Sequence, residues 1–138
     1  MINKILMYVA VIILCSCQDF AVKKQIVGKH YIIATDVTED ANLSFETADG
    51  NGYGTLIEAM VFAVGQDKNF IIAKQHPRVF PHPPDETITN YFILPIRDTV
   101  NWQTANGLLG PLNEGEYHRK RIELGIQNSV KFMQAPNF

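Results

Sequence analysis

The chain has 138 residues, 46% of them hydrophobic, and 12 lysines and arginines against 14 aspartates and glutamates, for a net charge of −2 at pH 7 with histidines neutral. That is enough apolar material for one domain with a real core, and too little positive charge for a nucleic-acid binder. The longest basic run, His118-Arg119-Lys120-Arg121, spreads around a helix at 3.6 residues per turn and reads as a solvated face.

The first segment is a targeting signal. Lys4 and the amino terminus form a positive n-region, and Ile5 to Leu14 form an apolar h-region. Leu14-Cys15-Ser16-Cys17 closes the segment as a lipobox does, with an apolar position, a small residue, and then the cysteine that becomes the lipidated first residue. A spanning helix needs about 18 to 20 apolar residues, whereas Gln18-Asp19 and Lys23-Lys24 follow here at once. An uncleaved anchor and plain secretion are the alternatives. The expected organisation is a signal peptide over 1–16, a lipidated tether over 17–27 and a single globular domain over 28–138. The expected location is the cell envelope, on the non-cytoplasmic side of a bacterial membrane, with the membrane engaged through lipid on Cys17. Two or more acyl chains, at about 0.8 kcal/mol per buried CH₂, make such an anchor stable.

Removal of 1–16 takes one lysine and no acid, so the charge falls from −2 to −3. It also removes Cys15, and lipidation consumes the sulfur of Cys17. The mature domain then has neither a disulfide nor a thiolate ligand.

The body reads mainly as strands. Tyr31 to Thr35 is rich in β-favouring residues, and Asn42 to Thr47 returns beside it with Leu43 and Phe45 alternating against Ser44 and Glu46. Asp49-Gly50-Asn51-Gly52-Tyr53-Gly54 is a glycine-dense connection. Leu56 to Val64 is open to two readings. Thr55 with Glu58 makes a helical capping box, but Val61, Phe62 and Val64 favour strand, and Gly65 to Asn69 looks like a hairpin turn into Phe70 to Lys74. The strand reading predicts a central strand covered on both faces. Tyr91 to Leu94 is the next strand, ended by Pro95.

A helix is signalled after Asn113, with Glu116 at the capping-box position and Gly125 just past its end. Tyr117, Leu124 and the stems of Lys120 and Arg121 offer its buried stripe. Ile126, Val130 and Phe132 suggest a last strand. The predicted class is α+β: a small antiparallel β-sheet with one C-terminal helix packed on it.

The lipobox, Gly28-Lys29-His30-Tyr31-Ile32-Ile33, Asp67 to Lys74, Tyr91-Phe92-Ile93, Gly110-Pro111-Leu112-Asn113-Glu114 and Glu123-Leu124-Gly125-Ile126 together resemble a family of small uncharacterised bacterial lipoproteins that carry a domain of unknown function. The resemblance implies the strand reading of 56–64. It transfers one functional position, the lipidated Cys17, and no catalytic residue.

Individual candidates follow. Asp49 to Gly54 begins like a calcium loop, but its twelfth position is Met60 where a bidentate glutamate is required. No Gly-Lys-Ser/Thr follows the glycines, so they are not a phosphate cradle. His76, His82 and Asp85 are of metal-ligand type and are the weak candidates for a metal site, and with it for a metal-dependent enzyme. They sit on an irregular stretch stiffened by four prolines, which reads equally as a recognition loop carrying Arg78 and Phe80, or as a plain crossover. Trp102, in a polar loop, is either a binding anchor or a lid packed over the core. His118 reads as a helix-surface residue and His30 as a strand residue beside the tether. No serine-hydrolase elbow and no paired carboxylates mark an enzyme, so no cofactor is expected. The expected function is a non-catalytic interaction module with an envelope protein or glycan as partner, or else an accessory subunit of a membrane assembly.

Overall fold

The computed structural model describes residues 20–135, 137 and 138; the signal segment and Cys17 lie outside them. Strands β1 (Val22–Val27), β2 (His30–Ala34), β3 (Asn42–Glu46) and β4 (Tyr53–Ile57) form an antiparallel sheet in sequence order. A second antiparallel sheet contains β5 (Val61–Gln66), β6 (Phe70–Gln75), β7 (Asn90–Pro95), β8 (Leu109–Leu112) and β9 (Met133–Gln134), in the order β8-β7-β6-β5-β9. The single helix of more than one turn among the described residues, α1, spans Glu114–Glu123. The α+β class holds, with the expected sheet divided in two. No helix among the described residues is long and apolar enough to cross a membrane.

Period-2 alternation explains the layering. Ile71, Ala73, Phe92 and Leu94 point to one face of the second sheet and meet Ile32, Leu43 and Ile57 of the first. Their neighbours Ile72, Tyr91 and Ile93 point to the other face and meet Tyr117 and Ile126. The middle sheet is therefore covered on both sides, which is why β6 and β7 read as nearly continuous apolar runs.

The helix forms as its ends predict. Asn113 Oδ1 accepts from Glu116 N and Glu116 Oε2 accepts from Asn113 N, both at 2.9 Å. Gly125, at φ +70°, lets the chain turn away beyond the last turn. Tyr117 stacks on Tyr91 at 4.7 Å between centroids. Arg121, rather than both basic stems, is buried. It donates to the Tyr117 hydroxyl and the Val130 carbonyl, each at 3.1 Å, and to the Gln127 carbonyl. That network folds Ile126, Val130 and Phe132 under the helix instead of into a strand. The last strand is Met133–Gln134, beside β5.

Two other expectations need correction. The stretch 56–64 is not one central strand. Leu56 and Ile57 finish β4 at an edge of the first sheet, and Val61 starts β5 inside the second. Between them Met60 takes φ 79°, and Gln75 Nε2 holds the corner by donating to the carbonyls of Glu58 at 2.9 Å and Ala59 at 3.3 Å. With neither glycine nor proline at 58–60, the corner carries no local turn signal. The expected tether is also shorter than 17–27, because 22–27 form β1, with Lys23 opposite Ile33 and Lys24 opposite Ile32. Val22, Ile26 and Val27 rest on the core, and the lysines between them mask the strand.

The ladders fix which loops share an end. The entry to β1 and the β2–β3, β4–β5 and β6–β7 connections lie at one end, the near end. There Val61 N donates to Ala41 O and His76 N to Met60 O, at 2.9 and 3.1 Å. The β3–β4, β5–β6 and β7–β8 connections lie at the far end.

Candidate functional site

The β6–β7 connection is the most exposed apolar feature of the near end. Its backbone is well held. Asp85 N donates to Pro77 O at 2.9 Å, His82 N to Val79 O at 2.9 Å, and Ile88 N to Asp85 O at 3.2 Å. The Asp85 carboxylate caps the return turn, accepting from Thr87 N at 3.0 Å and Thr87 Oγ1 at 2.5 Å. The Thr87 hydroxyl, then the Thr87 amide, and to a smaller degree the charge of His76 hold Asp85 below the usual carboxylate range. Asp85 is thus an ionised turn cap.

His76 is engaged twice, with Nδ1 at 2.9 Å from Ile88 O and its ring stacked on Phe62 at 4.1 Å. Among the described residues no group of three or more His, Cys, Asp or Glu is placed to hold a metal ion. His76, His82 and Asp85 therefore do not meet as a ligand set; they serve the loop's own geometry.

Arg78 and Phe80 do share a surface. Arg78 Nε donates to His82 O at 3.2 Å, and Nη1 lies 3.5 Å from Asp40 Oδ1 on the β2–β3 connection. Val79 and Phe80 are left 74% and 83% exposed. Prolines 77, 81, 83 and 84 restrict φ around them. The result is a stiff apolar tip. Beside it, a groove of about 520 Å³ is lined by Glu58, Ala59, Gln75, Pro77, Arg78 and Phe80. A second groove of about 420 Å³ has Met60, Val61, Phe62 and Ala135 with Glu39, Glu86 and His76 on its lining.

Trp102 is not part of this surface. Its loop leaves β7 at the far end, separated from Phe80 by the six residues of Asn90–Pro95, roughly 20 Å at about 3.3 Å per residue. The indole lies over Gly54 of β4, where a Cβ would fall 2.2 Å from Cη2. The loop is pinned by Asn106, whose Oδ1 accepts from Asn101 N at 2.6 Å while Nδ2 donates to Thr99 O at 3.1 Å. Trp102 is thus a half-exposed lid joining the two sheets.

The other histidines fall as read. His118 is exposed on α1, 3.8 Å from Glu114. His30 opens β2 and is fully buried, with its ring against Phe45 at 5.0 Å. Sequence reasoning missed the Glu39–Glu86 groove, because its residues come from three connections, the start of β5 and the segment after β9, all far apart in the chain. It also missed Lys23, whose Nζ lies 5.0 to 6.0 Å from the rings of Phe20, Tyr31 and Tyr53. Pairing of β1 with β2 would have put Lys23 and Tyr31 on one face.

No curated protein and no solved structure matches the chain. A family described as protein of unknown function (DUF3997) matches residues 28–135, which takes in β2 to β9 and α1. On that match, the chain belongs to the DUF3997 family.

Proposed function

We propose that the protein is a lipid-anchored module of a bacterial envelope that binds a protein partner through its near end and performs no catalysis. One observation carries the reading: Phe80 is 83% exposed on a loop whose backbone is already fixed by internal hydrogen bonds and prolines. A rigid exposed aromatic costs little to order on binding, and aromatic and arginine side chains concentrate binding energy. Arg78 stands beside it. The anchor is supported by the order of charge, apolar run and Ser16-Cys17 at the chain's start.

Labelling with palmitate and capture from solubilised membranes test both halves. Wild-type protein should take the label and bring down a defined partner, and Cys17→Ser should lose the label. Arg78→Ala and Phe80→Ala should weaken capture while shifting stability by less than about 0.5 kcal/mol, as expected of exposed positions. Normal labelling of Cys17→Ser would refute the anchor. Undiminished capture by both loop variants would refute the binding surface.

A further inference from the structure

Ala21 N donates to Thr35 O at 3.3 Å, so the chain enters β1 at the near end. Cys17 is four residues earlier, a reach of at most about 14 Å even when fully extended. With acyl chains on Cys17, the near end is held close to the bilayer surface. Four of the six large hydrophobic side chains exposed among the described residues, Val37, Val79, Phe80 and Ile88, gather at this end.

A bilayer would accept those side chains but not their surroundings. The near-end loops carry Asp36, Glu39, Asp40, Glu58, Asp85 and Glu86 against Arg78 and the imidazoles of His76 and His82, and an anionic leaflet repels that balance. The complement of this end is an apolar surface bearing positive charge. The groove of about 420 Å³ has the same character: an apolar floor of Met60, Val61 and Phe62, with Glu39 and Glu86 as its carboxylates. Such a floor takes the methylene stem of a lysine or arginine, and the carboxylates take its head.

We propose that the partner is a basic, apolar-bearing protein segment lying at the membrane surface, with a lysine or arginine side chain seated in the Glu39–Glu86 groove. The membrane location rests on the lipid-anchor reading above. The preference for a cation rests on the groove's own residues.

The test uses mature lipidated protein in neutral phosphatidylcholine nanodiscs, with a fluorescent peptide of alternating lysine and leucine as the probe. Binding should saturate. Glu39→Gln combined with Glu86→Gln should weaken it about tenfold, the scale of losing charge-assisted contacts. Asp98→Asn combined with Glu46→Gln removes equal charge at the far end and should leave binding unchanged. A peptide with glutamate in place of lysine should not bind. Equal weakening by the two double variants would assign the attraction to net charge and overturn the groove. Phe80→Trp in a Trp102→Phe background tests the bilayer as occupant. Quenching of Trp at position 80 by brominated lipid without peptide would overturn the proposal. Absence of palmitate on the cell-made protein would overturn the anchor and with it the membrane location. Labelled protein whose groove is indifferent to lysine would overturn the groove alone.

Discussion

Trp102 and Gly54 should behave as one structural unit. The indole is 49% exposed, so about half of the roughly 200–250 Å² that a tryptophan can bury is in contact with protein. At about 25 cal/mol per Å², Trp102→Ala should cost about 2–3 kcal/mol. Gly54→Ala places a methyl 2.2 Å from Cη2, so the ring must swing outward and forfeit the same contact. Alanine recovers about 0.5–1 kcal/mol over glycine within a strand, which leaves a net cost of about 2 kcal/mol. Once the ring has gone, the three atoms that crowd the added methyl go with it, so the double variant should cost no more than Trp102→Ala alone. The coupling should be about 2 kcal/mol, well above the few tenths seen between independent sites. Urea unfolding followed by circular dichroism measures the cycle. Trp102 is the chain's single tryptophan, so its emission should also move to the red in Gly54→Ala. Additive costs with unchanged emission would refute the packing account.

Two further outcomes concern the buried polar groups. Tyr117 is 1% exposed, so Tyr117→Ala should cost about 3–5 kcal/mol. Tyr117→Phe, which strips one acceptor from Arg121 but leaves the Gln127 and Val130 carbonyls, should cost about 1–2 kcal/mol; equal losses in urea melts would contradict the network. Burial pushes His30 below the usual 6.5, against the weaker opposing pull of the Val27 carbonyl. The unfolded chain therefore takes up a proton more readily. Stability should be full above about 6.5 and decline as the pH falls through that value toward the depressed folded pKa. His30→Phe, which keeps the ring against Phe45 and removes an Nε2 that has no partner among the described residues, should flatten the decline between about pH 7.5 and pH 5. An unchanged slope would assign the titration elsewhere.

Local chemistry made part of this fold legible. The Asn113–Glu116 capping box and Gly125 bounded α1, and the Asp67 turn, whose carboxylate accepts from Asn69 N and Phe70 N at 2.7 and 2.8 Å, announced the β5–β6 hairpin. The corner at 58–60 was illegible because a side chain fifteen residues onward, Gln75, holds it. β1 was hidden by its two lysines, of which Lys24 reaches across to β9 of the second sheet, its Nζ lying 3.2 Å from Met133 Sδ. At the site, four prolines around Arg78 and Phe80 mark a stiff loop in the sequence itself. Nothing local could reveal that Trp102 belongs to the opposite end, or that Glu39 and Glu86 face one groove. Both follow from how the strands pair.

The most direct measurement is site-specific photo-crosslinking in intact cells, with a photoreactive phenylalanine analogue at position 80 and, as control, at the equally exposed position 122 on α1, where Ile122 is 79% exposed. A bound near end predicts one discrete adduct from position 80, absent from position 122, and lost when residues 1–17 are exchanged for an ordinary cleavable secretory signal that releases the domain from the membrane. Identical adduct patterns from the two positions, or an adduct from position 80 that survives release of the domain undiminished, would contradict a membrane-tethered module that binds through its near end.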